Sequence, residues 1–121
     1  MVDDDPDIIL AVVFYRTRAG AEPVRDWLKS LPVVGRKTLG ADIKTVQFGW
    51  PLGMPLVRKL DEKLWEVRSK LADGIARVLF TVVGNTMVLL HGFVKKSQKT
   101  PARELATARE RLKRLLSEEL Q

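Results

Sequence analysis

The chain has 121 residues, 45% of them apolar, which suits one domain around one compact core and excludes two. It has no cysteine and a single histidine, His91, so disulfide frameworks, thiolate nucleophiles, iron–sulfur clusters and multi-histidine metal sites are excluded. Lys and Arg number 21 against 15 Asp and Glu, and this balance points to a polyanionic partner, with a plain solvated surface as the simpler alternative.

The charge is unevenly spread. Four acids, Asp3, Asp4, Asp5 and Asp7, fall in the opening stretch, so the chain from Ile8 onward carries 21 basic against 11 acidic residues, a net +10. Met1 to Asp7 reads as an acidic disordered tail, and residues 8–121 as a single domain. The tail is expected to aid solubility, with folding back onto the basic face as the alternative. The longest apolar run, Ile8 to Tyr15, falls short of the roughly 20 residues that span a bilayer, and the acidic start lacks the basic opening of a signal peptide. A soluble, cytoplasmic protein without a membrane partner is the expectation.

Ile8 to Tyr15 is β-branched and aromatic, apolar on both faces, and reads as a well-covered strand. Glu22 to Ser30 places Val24, Trp27 and Leu28 at helical spacing, with Pro23 in the first turn and Pro32 as the stop. Val34 to Phe48 continues the period through Leu39, Ile43 and Val46, giving a helix pair. The stretch Gly49 to Pro55 is dense in turn residues and reads as a loop or irregular edge. Three strands are then expected, at Leu64 to Ser69, Ile75 to Val83 and Thr86 to Val94, with Gly84-Asn85 as a two-residue hairpin turn. That turn predicts Arg77 opposite Gly92 and Val78 opposite His91. Thr100-Pro101 opens a last helix as N-cap and N1, with Leu105, Ala108, Leu112, Leu115 and Leu116 in one apolar stripe. The predicted fold is α+β: a small, mostly antiparallel sheet, built from an N-terminal strand plus a three-stranded meander, covered by an N-terminal helix pair and followed by a C-terminal helix.

Alternation along the hairpin puts Arg77, Leu79 and Thr81 on one face with Leu90, Gly92, Val94 and Lys96. Val78, Phe80 and Val82 take the other face with Leu89, His91 and Phe93. Gly92 opposite Arg77 leaves an open spot in the sheet that a ligand can approach. If the strand of Arg68 pairs with that of Arg77, then Arg68, Arg77, Lys95 or Lys96, and Lys99 converge on this face. The alternative is an internal salt bridge to Glu66, Asp61 or Glu62.

Such a cationic cluster suits a phosphodiester, because forked and point-charge donors match phosphate oxygens and stabilise the extra charge of a pentavalent phosphorane. RNA carries its own nucleophile in the 2′-hydroxyl, so its cleavage needs alignment, charge stabilisation and proton transfer, with no metal or cofactor. A lysine among cations is a conceivable base. His91 reads as a buried or edge histidine with one hydrogen bond, a general base being the alternative. Phe93 is a candidate for stacking an RNA base, with core packing as the plainer reading.

The blocks Leu64-Trp65-Glu66-Val67-Arg68, Ala76-Arg77-Val78-Leu79-Phe80 and Leu89 to Pro101, with Glu104, Ala108 and Arg111 beyond, resemble the HigB-like, phage-derived toxin branch of the RelE/ParE superfamily. The resemblance covers the C-terminal half closely and agrees with the layout of the N-terminal half. It implies a RelE-like fold and a type II toxin–antitoxin toxin that enters the ribosome and cuts mRNA without a metal, silenced by a cognate helix-turn-helix antitoxin. By position it implies Arg68 and Arg77 for phosphate binding and transition-state charge, Lys96 for leaving-group or base duty, and Lys95 and Lys99 for RNA contacts. Two departures stand out. The tyrosine that some RelE-like toxins use near the last helix has no counterpart, since Tyr15 is the only tyrosine, and a histidine-and-acid arrangement is hard to assemble from one histidine. Rival readings are a ParE-like inhibitor of DNA gyrase acting through protein contacts and a non-catalytic basic RNA-binding module.

Overall fold

The computed structural model describes residues 8–119, so the expected tail, Met1 to Asp7, lies outside the described residues. The elements in order are β1 (Ala11–Phe14), α1 (Pro23–Ser30), α2 (Val33–Gly49), β2 (Val57–Asp61), β3 (Leu64–Leu71), β4 (Gly74–Val83), β5 (Thr86–Lys95) and α3 (Ala102–Glu119). The five strands form one sheet in the order β1-β5-β4-β3-β2, with β1 parallel to β5 and every other pair antiparallel. The fold is therefore α+β with a mostly antiparallel sheet. It has one strand more than expected, because β2 follows the proline-punctuated loop and makes the meander four-stranded.

Helices cover both faces, which explains why β4 is buried along most of its length on both sides. α1 and α2 lie over one face, where Leu39, Ile43 and Val46 of α2 meet Val67, Val78, Phe80 and Leu89. Trp50, Trp65 and Phe80 close this layer as an aromatic group with ring centroids 5.1 to 6.1 Å apart. α3 covers the other face through Ala108 and Leu112, packed on Leu64, Leu79, Val88 and Leu90. The expected apolar stripe of this helix is the one that docks.

The hairpin turn at Gly84-Asn85 forms as predicted, with Gly84 at a φ of 61° in the left-handed region that its first central position requires. The predicted register holds from Val83↔Thr86 to Phe80↔Leu89 and then slips by one at a β-bulge, so that Leu79 faces His91 and Arg77 faces Phe93. The slip changes the faces. Leu90 and His91 both turn toward α3, Phe93 follows them, and Gly92 moves to the α1 side opposite Val78. Gly92 is thus no open spot, because a Cβ there would lie 2.3 Å from the Trp27 indole of α1.

Two glycines give opposite expectations. Gly92→Ala forces the Trp27 ring aside and should lower unfolding stability by about 1–3 kcal/mol. Gly40→Ala, in the middle of α2 with open space around it, should raise stability by about 0.5–1 kcal/mol. Urea unfolding of the two variants checks both signs.

Candidate functional site: a cationic face beside a buried carboxylate

The face of the sheet that α3 only partly covers carries the charge. β-Pairing sets Arg58 of β2 beside Glu66 of β3, and Arg68 of β3 directly opposite Arg77 of β4, with Phe93 of β5 beyond. One register step further lie Lys70, Ile75 and Lys95. The strands therefore bring Arg68 and Arg77 to one face, as expected, and add Arg58.

Glu66 organises the group. It is fully buried, and its carboxylate takes Arg68 Nη1 at 3.3 Å on one oxygen and the hydroxyl of Thr100 at 2.8 Å on the other. Arg68 also donates to the side-chain oxygen of Gln98 at 2.6 Å and to its backbone carbonyl at 3.4 Å. Arg77 is buried as completely as Glu66; it donates through Nη2 to the Ser97 carbonyl and through Nη1 to Thr100 Oγ1 at 3.5 Å, with its guanidinium 5.9 Å from the Phe93 ring centre. Burial holds the Arg77 guanidinium below its usual pKa; Glu66 opposes this, whereas Arg68 and Arg58 add to it. Three arginines thus stand near one carboxylate, and of them Arg68 alone pairs with it. Arg58, half-buried, makes no hydrogen bond or ion pair among the described residues.

Several expected roles change with this geometry. The internal salt bridge weighed for the arginines is present between Arg68 and Glu66, although Arg68 keeps an edge on a cleft. Arg77, with no exposed surface, does not bind a phosphate from solvent in this conformation; it ties the loop after β5 to the sheet. Phe93 is buried at 6% exposure and packs with Leu79 and Leu90, so its ring is not offered to an RNA base. The bulge puts Lys95, rather than Lys96, on the face of Arg77, while Lys96 and Lys99 stand exposed in the loop to α3. Thr100 does not cap α3 with its hydroxyl, which is spent on Glu66; the N–H groups of Glu104 and Leu105 donate to Pro101 O.

His91 sits apart from the arginines and is fully engaged. Its Nε2 is 2.8 Å from Glu104 Oε1 and its Nδ1 accepts from Arg111 Nη1 at 3.3 Å, which assigns the proton to Nε2. Arg111 also donates to Leu90 O at 2.7 Å, the carbonyl at the bulge. A histidine-and-acid pair is therefore assembled from one histidine, contrary to expectation, but with both ring nitrogens occupied it clamps β5 to α3.

Next to Arg68 opens a cleft of about 300 Å³. Met54, Pro55, Leu56 and Ile75 form its apolar walls, and Arg68, Lys70 and Gln98 its polar rim. Arg58, the Met54–Leu56 wall and Gln98 are the parts that sequence reading missed. Gln98 lay within a quoted block, and a strand reading of Val57–Asp61 would have shown Arg58 beside Glu66. Among the described residues no group of three His, Cys, Asp or Glu is placed to hold a metal ion.

The chain matches the family described as Phage derived protein Gp49-like (DUF891) over residues 26–113, nearly three quarters of its length. It belongs to that family. No curated protein matches the chain. The Gp49-like family is a RelE/HigB-like toxin family, and the matched stretch runs from within α1 to within α3, so it includes every charged residue of the cleft. Among the described residues of this Gp49-like chain no helix is long and apolar enough to cross a membrane.

Two substitutions test the buried network. Glu66→Ala leaves two buried guanidinium groups without a counter-charge and should cost about 3–5 kcal/mol. Arg111→Ala leaves the Leu90 carbonyl unpaired and should cost about 1–3 kcal/mol. Both values are read from denaturant unfolding.

Proposed function

We propose that this protein is the toxin of a type II toxin–antitoxin pair and acts in the cytoplasm as a ribosome-dependent mRNA endoribonuclease. One observation carries the reading: the cleft at Arg68 combines apolar walls with Arg68, Lys70 and the Gln98 amide, a composition that fits a nucleotide. A base packs against Met54, Pro55 and Ile75, its phosphate meets Arg68 and Lys70, and Gln98 addresses a polar edge. Arg58, which makes no hydrogen bond or ion pair among the described residues, supplies the charge that Arg77 cannot.

In this mechanism the 2′-hydroxyl attacks the adjacent phosphorus as its proton passes to a base. The P–O5′ bond breaks, the 5′-oxygen takes up a proton, and the products are a 2′,3′-cyclic phosphate and a 5′-hydroxyl. Arg58 and Arg68 stabilise the charge on the phosphorane, and Lys96 is assigned the proton transfer. Lys95 and Lys99 hold flanking RNA or ribosomal phosphates. No step calls for a metal. A cognate helix-turn-helix antitoxin is the partner that the toxin reading implies.

The internal pairing of Arg68 with Glu66 favours a second reading, a non-catalytic RNA-binding module whose arginines are structural. Mapping of message 5′ ends after induction separates the two. Under the proposal new 5′ ends appear within translated frames, and Arg58→Ala, which removes no side-chain hydrogen bond or ion pair among the described residues, reduces cleavage by about 10²- to 10³-fold while RNA binding changes little. Translation arrest with intact messages would establish the binding module instead. DNA damage and filamentation with intact messages would point to gyrase.

A further inference from the structure

The polar side chains on the rim of the Arg68 cleft are Arg68, Lys70 and Gln98. Arginine and lysine only donate hydrogen bonds, whereas an amide both donates and accepts, so the way Gln98 is turned decides what the rim can read. The network fixes that turn. A guanidinium offers donors alone, so the 2.6 Å contact of Arg68 Nη2 with Gln98 must set the amide oxygen toward the arginine. Arg68 Nη1 also reaches the Gln98 carbonyl at 3.4 Å and the buried carboxylate of Glu66 at 3.3 Å. Gln98 is therefore tied, through side chain and backbone, to a guanidinium that is itself held by Glu66. Turning the amide over would press its NH2 group against a cation. Nε2 keeps both hydrogens and makes no hydrogen bond among the described residues.

Every polar side chain on this rim thus presents donors to an incoming ligand. A phosphate suits Arg68 and Lys70, and the four RNA bases differ in what they offer Gln98. Guanine has two adjacent acceptors, O6 and N7, on an edge without a donor. Adenine sets its amino group beside N7, cytosine sets its own beside N3, and uracil places N3–H between its two oxygens. Each of these turns a donor toward an NH2 group flanked by cations. The walls make a separate selection. Met54, 63% exposed, stands with Pro55, Leu56 and Ile75, and such an apolar wall gains more from a two-ring base than from a one-ring base. The walls favour a purine, and the rim separates guanine from adenine.

Resting on the nucleotide reading of this cleft, we infer that Gln98, with its amide oxygen held by Arg68, reads the O6/N7 edge of guanine and makes the cleft a guanosine subsite. Gln98 acts here as a specificity residue and takes no part in bond breaking. The rival is a bare anion site, which would hold the phosphate alone and treat all four bases alike.

The test uses the full chain, made in a cell-free system and isotope-labelled for NMR, titrated with the four trinucleotides UpNpU carrying 2′-fluoro riboses, so that no 2′-hydroxyl can attack. UpGpU should bind at least about tenfold more tightly than the other three and shift the Gln98 side-chain amide signal. Gln98→Glu keeps an acceptor for Arg68 but replaces the NH2 group by oxygen, so UpApU and UpCpU should overtake UpGpU. Gln98→Met, with no donor, should bind all four alike. Thermal unfolding checks that the variants fold, and if Gln98→Glu does not, Gln98→Met decides. Equal affinities in the unsubstituted chain, preference for another base, or a guanine preference that both variants keep would each overturn the inference, even where messages are cut on induction. Selective binding of UpGpU without new message 5′ ends would uphold it and count against the nucleolytic reading. No binding of any trinucleotide would overturn it, and mapped 5′ ends would then judge the nucleolytic reading separately.

Discussion

A carboxylate with no solvent contact, placed mid-strand in a sheet covered on both sides, must be answered by the protein itself. Glu66 is answered from two directions: by Arg68, two residues along its own strand, and by Thr100, at the entry to α3. Because the second partner comes from 34 residues away, the bond that satisfies Glu66 also fixes where the chain enters α3 and therefore how that helix lies on Leu79 and Leu90. Desolvating the charges consumes much of what their attraction returns, so the network acts as a constraint on geometry more than as a net source of stability. Arg77 extends it by holding Ser97 and Thr100, and the loop that bears Lys96 and Lys99 is drawn down over the sheet.

This arrangement leaves charge unbalanced. Arg77 and Arg68 against Glu66 already carry an excess positive charge, and Arg58 adds another that makes no ion pair among the described residues. In a partly dehydrated setting that excess is felt more strongly than on an open surface. A fold that needed these arginines only for internal pairing would match them one for one. On the proposed reading the surplus is what draws a phosphodiester to the Arg68 cleft, and the buried Arg77 serves to hold the loop after β5 in place.

How much of this was legible in the sequence varies by residue. The helices were, because Pro23 and Pro32 punctuate α1, while Leu39, Ile43 and Val46 mark the inner side of α2 at helical spacing. The turn at Gly84-Asn85 was legible from its glycine. β2 was hidden because its turn, Glu62-Lys63, contains no glycine or asparagine and Lys63 itself takes the left-handed φ of 59°, while Arg58-Lys59 breaks up its apolar pattern. The bulge at Leu90 was hidden for a different reason. Nothing local distinguishes it; it is stabilised by Arg111, reaching from α3 to the freed carbonyl, and by the space that Trp27 claims at Gly92. One inserted residue then reversed the faces of His91, Gly92, Phe93 and Lys95, and with them the roles that alternation had assigned.

The bulge also bears on how chemistry at this site must be divided. By turning His91 toward Glu104 and Arg111 it builds a partnered imidazole, the side chain most often used for proton transfer in enzymes. It then occupies both nitrogens, so the imidazole cannot act without releasing the contacts that hold α3 to β5. What remains beside the cleft is arginine and lysine. Arginine keeps its proton, so on the endoribonuclease reading its contribution is electrostatic and orientational, and the proton must travel through lysine, solvent or the ribosome. On that same reading, a site strong in charge and poor in acid–base groups on its own chain would need a larger assembly to align the RNA, which is the physical rationale for the ribosome dependence proposed above.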